Sequence, residues 1–263
     1  MPKKTKKPAF EKLTGIIRQL RKQCPWDREQ THQSIRHSLI EEAYEVVEAI
    51  DHKNLDELKM ELGDLLLHVV LHSVIAEEEG AFTINEVVSG SSAKLIRRHP
   101  HVFGDTKVKS ADDVKNNWEK IKLAEGRTSL MDGVPRKMPS LLRAHRLQEK
   151  ASKVGFDWKR KADVWKKVVE EIDELHEAES KRSHEHLEEE FGDLLFALVN
   201  YARFLKVNPE SALSKSTRKF SKRFQRIEVE FRKRGKKLEH STLEEMDAIW
   251  NEGKRLEKKS KSG

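Results

Sequence analysis

Cysteine, glycine, proline and aromatic residues are all scarce in this chain, and it has no long apolar run. The lone cysteine, Cys24, excludes an internal disulfide framework and fits a reducing compartment. No stretch of about 18 consecutive apolar residues occurs, so no membrane-spanning helix is expected. The opening MPKKTKKP is positive, but no apolar segment follows it, which argues against a secretory signal. A cytoplasmic location is the resulting expectation. With 12 Gly and 7 Pro in 263 residues, turn-forming residues are few. Charged residues make up 37% and apolar residues 36%, a balance that suits amphipathic helices with long solvated faces better than a sheet-rich fold.

Nor is there a strong charge of one sign. The 52 basic and 45 acidic residues are interspersed, and much of the formal +7 comes from the two ends. No nucleic-acid reading motif is present, so only a salt-sensitive contact through basic tails is expected, and specific nucleic-acid binding is not.

What the chain does contain is a repeat. Residues 41–66 read EEAYEVVEAIDHKNLDELKMELGDLL, and residues 170–195 read EEIDELHEAESKRSHEHLEEEFGDLL. Aligned without a gap they share the equivalents of Glu41, Glu42, Glu45, Glu48, Ala49, Leu58, Glu61, Gly63, Asp64, Leu65 and Leu66. Most of these are acidic, whereas a generic amphipathic repeat would keep apolar positions and let charges drift. Two tandem domains follow. The Gly- and Pro-containing stretch EGRTSLMDGVPRKMPSLL supplies a boundary. The expected organisation is a disordered basic tail at 1–8, a first domain at 9–125, a linker at 126–138, a second domain at 139–253 and a disordered basic tail at 254–263.

The carboxylates suggest chemistry. Over 39–51, Ile40, Ala43, Val46, Val47 and Ile50 share one helical face; Glu41, Glu45 and Glu48 lie opposite, with Glu42 beside them. On the next helix Glu61, Asp64, His68 and His72 fall within about 80° of one another, and apolar residues fill the remaining directions. Glu190 and Asp193 occupy the matching stripe in the second copy, joined by Asn200. Such a stripe facing an acidic helix calls for cations, because buried unpaired carboxylates are costly. Two i, i+3 carboxylate pairs on antiparallel helices can converge on a metal. Oxygen-only ligands favour Mg²⁺, with Mn²⁺ a second possibility. His68 and His72 read either as ligands or as stripe histidines; Ala197 and Tyr201 replace them in the second copy, which favours the latter. A Mg²⁺ site leaves positions for water and phosphate, and Lys/Arg clusters follow each acidic motif: Lys94, Arg97 and Arg98, then Lys219, Lys222 and Arg223.

The words CPWDREQTHQSI, LIEEAYEVVEAI, ELGDLL and RRHPHVFGD, then KVGFDW, KVVEEIDELHEA and LEEEFGDLLFALVNYARFLKVNPE, resemble the MazG nucleoside triphosphate pyrophosphohydrolases. The likeness runs from about residue 8 to about residue 253. It implies an all-α fold of tandem MazG-type helical domains, each completing a four-helix-like bundle through homodimerisation. It also implies hydrolysis of a nucleoside triphosphate to the monophosphate and diphosphate, with Mg²⁺ and broad base tolerance, in nucleotide-pool house-cleaning. Influence on alarmone levels is a further possibility. By position, Glu171, Glu174, Glu190 and Asp193 resemble the metal ligands of the second domain, and Glu42, Glu45, Glu61 and Asp64 those of the first. Lys167, Glu170, His186, Glu189 and Asp193 fall in stretches similar to the nucleotide-binding segments. Lys219 and Arg223 resemble the phosphate-binding pair, and Trp250 an aromatic that packs on the nucleotide. His186 is a departure, standing where the family usually has lysine. In some two-domain members only the second domain turns over substrate, yet the first domain here keeps its four ligands.

As an enzyme, the chain would use the metal to neutralise the triphosphate and acidify a water. Glu170 would orient or deprotonate that water, and Lys219 and Arg223 would stabilise the departing diphosphate. Glu170 as a solvated helix residue and Trp250 as plain packing are the bland alternatives. A different class of reading is a non-catalytic helical dimer that binds metal and nucleotide as a regulator.

Overall fold

The computed structural model describes residues 8–125, 129–180 and 183–259. Among the described residues the regular structure is helical throughout, apart from one short 3₁₀ turn at Leu238–His240, as the sequence led us to expect. The helices are α1 (Ala9–Gln23), α2 (Pro25–Glu29), α3 (Arg36–His52), α4 (Leu55–Glu78), α5 (Ile84–Arg98), α6 (Pro100–Phe103), α7 (Ala111–Ala124), α8 (Ser140–Ser152), α9 (Lys161–Ser180), α10 (His184–Phe204), α11 (Pro209–Lys233) and α12 (Leu243–Lys259). The chain divides into two compact units, residues 1–118 and 119–263. In sequence this division falls within α7, ahead of the 126–138 segment read as a linker, of which 126–128 lie outside the described residues.

In the first unit α3 packs against α4, and α1 and α5 also pack on α4. The break between α3 and α4 is chemically specified: Lys53 takes a left-handed conformation, and Asn54 caps α4 by accepting from the Glu57 amide. At the start of α5, Thr83 and Glu86 form a reciprocal capping box. Ile17, Ile35, Val70, Leu71, Val74, Ile75 and Ile84 form the core, so α4 is anchored by its second half. In the second unit α9 and α10 form the corresponding hairpin, with Val164, Val168, Ala178, Ala197 and Val199 buried. Ile227 and Phe231 of α11 pack with Ile249 of α12 in a separate small core.

Three expectations need correction. The face of α3 carrying Ile40, Val47 and Ile50 points outward, as does Tyr44, while Glu42, Val46 and Ala49 turn inward. The acidic residue is thus on the packed side, because that is where the matching carboxylate of α4 lies. The acidic helices are also less enclosed than an all-round apolar pattern suggests. Leu62, Leu66 and Val69 on α4 and Phe191, Leu195, Phe196 and Leu198 on α10 are exposed, as are Asp64 and Asp193. Finally, residues 254–259 are not a disordered tail: they continue α12, where Glu257 forms an ion pair with Arg223 of α11. Residues 1–7 and 260–263, also read as tails, lie outside the described residues.

Part of the stretch read as a linker is held down. Lys150, only 2% exposed, sends Nζ to the carbonyl oxygens of Leu130 (2.8 Å) and Asp132 (3.1 Å). A buried ammonium persists only when its donors are satisfied, so this contact ties 129–133 to α8. Lys150→Met strips two carbonyls of their donor at about 1–3 kcal/mol each. The expected loss in urea unfolding of the full chain is about 2–4 kcal/mol, against roughly 0.5 kcal/mol or less for the exposed Lys166→Met.

Candidate metal and nucleotide site

The α9–α10 hairpin gathers the acidic residues of the second domain. Glu171 and Glu174 are one turn apart on α9, and Glu190 meets them from α10. One ligand atom from each lies within 4.8 Å of the others. Glu171 is buried, and the Glu190 side chain is 15% exposed. The cluster is held together by Lys167, whose ammonium lies 2.6 Å from Glu170, 2.8 Å from Glu171 and 3.9 Å from Glu174. Hydrogen bonds to Glu170 and Glu171 hold the Lys167 pKa well above its ordinary value. Lost hydration pushes the Glu174 carboxyl up; Glu171 adds to this through its charge and a hydrogen bond, and Lys167 opposes it. His186 approaches Glu190 at 3.6 Å and Glu189 at 3.8 Å, so the histidine keeps a basic nitrogen beside the cluster where a lysine was expected.

The first domain repeats the carboxylates but not the lysine. Glu42, Glu45 and Glu61 form the equivalent group. Ser38 stands at the position of Lys167. Burial raises the Glu42 pKa, as do the charges of Glu45 and Asp64, while His68 lowers it. Burial also raises the Glu61 pKa, reinforced by the charge of Glu45 and a hydrogen bond with it. The buried His68 places Nε2 3.9 Å from Glu42, and His72 meets His32 at 2.8 Å between Nδ1 atoms. In neither domain does the expected fourth ligand, Asp64 or Asp193, join the tight group of three.

Residues 30–103 and 161–227 match the MazG nucleotide pyrophosphohydrolase domain. The chain belongs to this family. It is 50% identical over 250 residues to the nucleoside triphosphate pyrophosphohydrolase/pyrophosphatase MazG of Thermotoga maritima, covering 93% of this chain and 95% of that protein. It is 43% identical over 257 residues to the nucleoside triphosphate pyrophosphohydrolase of Escherichia coli K12, covering 94% of this chain and 98% of that protein. It is 51% identical over 257 residues to the uncharacterized protein YabN of Bacillus subtilis, covering 95% of this chain and 53% of that protein.

Within this MazG chain the remaining candidates form a second group on α11–α12. Arg223 holds Glu257 through Nε at 3.2 Å and Nη2 at 2.6 Å, and its guanidinium lies 5.3 Å from the Trp250 ring centroid. Trp250 also contacts Phe220 and packs on the Ile227–Phe231–Ile249 core. Lys219 is exposed nearby on α11. Among the described residues, none of Lys219, Arg223 and Trp250 takes part in the ion pairs of the carboxylate cluster. Sequence reasoning missed a cavity of about 510 Å³ that opens beside Lys167, Glu171 and Asp193 and is lined also by Gln148, Phe156 and Trp158. The word KVGFDW signalled a family likeness, and only the fold shows that it frames a cavity.

The donor set fits a divalent cation. It is all oxygen and convergent, and where no metal compensates it, an ammonium or a shared proton does so. Because Glu42, Glu61 and Glu174 have raised pKa values, the metal-free protein is most favoured with these groups protonated, and their contribution to stability is lost as pH rises through those values. Metal binding needs the deprotonated forms. The rise in Tm on adding excess Mg²⁺ should therefore be absent near pH 4 and grow toward pH 7.5. A rise in Tm independent of pH would contradict the assignment.

Proposed function

We propose that the second domain hydrolyses nucleoside triphosphates to the monophosphate and diphosphate, with Mg²⁺ held by Glu171, Glu174, Glu190 and Asp193. Membership of the MazG family makes the chain a hydrolase of phosphoric anhydride bonds. The observation that carries the assignment to these residues is the Lys167-bridged convergence of Glu171, Glu174 and Glu190. Mg²⁺ bound there would supply charge neutralisation for the triphosphate and acidify water.

The protein's own groups would do the rest. Glu170 is 56% exposed in its side chain and already accepts a proton-bearing partner, Lys167, so it can orient a water and take its proton as the water oxygen attacks the α-phosphorus. The α–β anhydride bond breaks, and diphosphate departs with the bridging oxygen. Lys167, released from the carboxylates, would turn to phosphate oxygens, and His186 and Glu189 lie where they could bind the nucleotide. Lys219 and Arg223 would meet the diphosphate once Arg223 exchanges Glu257 for it, and Trp250, already against that guanidinium, would flank the nucleotide. The names of the relatives specify nucleoside triphosphates, which supports that substrate class; broad base tolerance and a house-cleaning role in the cytoplasmic nucleotide pool belong to the same proposal.

A homodimer belongs to the same proposal. Ile40, Tyr44, Val47 and Ile50 on α3, and Trp165, Val169, Phe191 and Leu195 on α9–α10, expose apolar faces on the hairpins that carry the carboxylates. Faces of that kind mark contact surfaces. No helix of the described residues is long and apolar enough to cross a membrane.

Pyrophosphate release from a panel of nucleoside triphosphates should require divalent metal and stop with chelator. Glu171→Ala should lower kcat at least about 100-fold, because a metal ligand acts in the transition state. Glu42→Ala then tells whether the first domain contributes. Release that persists in Glu171→Ala but fails in Glu42→Ala would move catalysis to the first domain, and no release from the wild type would overturn the assignment.

A further inference from the structure

Three histidines of the first domain have no counterpart in the second: His32, His68 and His72 correspond to Lys161, Ala197 and Tyr201. The carboxylates repeat and these imidazoles do not, so their role belongs to the first domain alone. His68 and His72 are one turn apart on α4, the i, i+4 spacing at which two imidazoles of one helix can hold an ion together. Their rings stand 6.4 Å apart between centroids, tilted by 38°. His32, in the turn between α2 and α3, sets its ring nearly parallel to that of His72, at an interplanar angle of 6°.

The neighbours of these rings assign their protons. His68 turns Nε2 toward the Glu42 carboxylate at 3.9 Å, so its neutral ring carries hydrogen on Nε2 and a bare lone pair on Nδ1. His32 turns Nε2 toward Glu79 at 4.0 Å, so its bare nitrogen is again Nδ1. That atom lies 2.8 Å from His72 Nδ1, a contact that needs one hydrogen, which His72 therefore supplies. His72 keeps its lone pair on Nε2. The two bare nitrogens, His68 Nδ1 and His72 Nε2, are buried and have no hydrogen-bond partner among the described residues. His68 is only 7% exposed, so an unpaired acceptor there is costly. Burial, with His32 and His68 close by, pushes the His72 pKa down and favours the neutral ring, the form that coordinates.

We propose that His68 Nδ1 and His72 Nε2 bind a borderline-soft divalent transition metal of the Zn²⁺ class. Imidazole lone pairs suit such an ion and not Mg²⁺, which takes oxygen ligands. Glu42 behind His68, and His32 with Glu79 behind His72, are the outer partners that orient a ligating histidine and raise its basicity. With metal–nitrogen bonds of about 2.0–2.1 Å, two rings on a tetrahedral ion hold their centroids about 5 Å apart, so the pair closes by about 1 Å on binding. Glu42 meets the His68 ring at its other nitrogen, so this ion and one held by Glu42, Glu45 and Glu61 use different donors. The replacement of the histidines in the second copy excludes a site common to both domains and leaves one in the first.

The test is calorimetric titration of the full chain with Zn²⁺ in saturating Mg²⁺, repeated with Co²⁺, whose visible absorption reports nitrogen ligation. The wild type should bind Zn²⁺ and give that absorption. His68→Gln and His72→Gln should each weaken binding at least about 100-fold, and His32→Ala, which removes an outer partner, about tenfold. The exposed control His176→Gln should stay within about twofold. No Zn²⁺ binding by the wild type, or an affinity and Co²⁺ spectrum unchanged in His72→Gln, would overturn the site. So would binding that survives the histidine variants and is lost in Glu45→Gln, since it would then belong to the carboxylates. The His32 side chain is 39% exposed, so His32→Ala, together with His72→Gln, decides even if His68→Gln fails to fold. None of these readouts depends on turnover, so loss of the hydrolysis assignment would leave the metal site standing, and loss of the site would leave hydrolysis untouched.

Discussion

Like charges crowded between two packed helices are the constraint around which each half of this protein is arranged. Glu171, Glu174 and Glu190 bring ligand atoms within 4.8 Å of one another, which calls for a counter-charge, and Glu171 is buried. In the second half the counter-charge is part of the chain: Lys167, one turn before Glu171, places its ammonium among the acids as an ion pair. The hairpin geometry, the apolar packing of Val164 and Val168 and the capping of α10 by Ser183 all hold the acids within reach of one another. A divalent ion bound there would replace a monovalent charge with a stronger one and would free the lysine.

The two copies solve the same problem differently. The first half has Ser38 where the second has Lys167; there burial and neighbouring carboxylates push the Glu42 and Glu61 pKa values up, and His68 beside Glu42 opposes the rise for Glu42. Small differences around a common acidic frame thus separate the two domains: a lysine for a serine, an alanine for a histidine, an asparagine for a leucine. The acids that match across the repeat are the ones to which the proposed chemistry is assigned. The neighbours that differ decide what else can occupy the space.

Much of this could be read in the sequence. Charge-preserving repetition revealed the tandem domains and pointed to eight carboxylates, of which Glu42, Glu45, Glu61, Glu171, Glu174 and Glu190 converge in two groups of three, because i, i+3 spacing on a helix admits little freedom. Helix content followed from composition and periodicity. The facing of α3 did not, since Ile40, Val47 and Ile50 form as coherent a stripe as any core face, and only the carboxylate partners on α4 show which side turns inward. The engagement of Arg223 by Glu257 was hidden because 254–259 reads as a charged tail, and its helical order depends on packing against α11. The cavity was hidden too: Gln148, Phe156 and Asn200 are far apart in sequence, and no spacing rule joins them.

The lysine among the acids has a physiological corollary. If the acids take up a divalent ion as proposed, the Lys167 ammonium would hold those of α9 together while the ion is scarce. The first half, with Ser38 at that position, would have only His68 beside Glu42 for the same purpose.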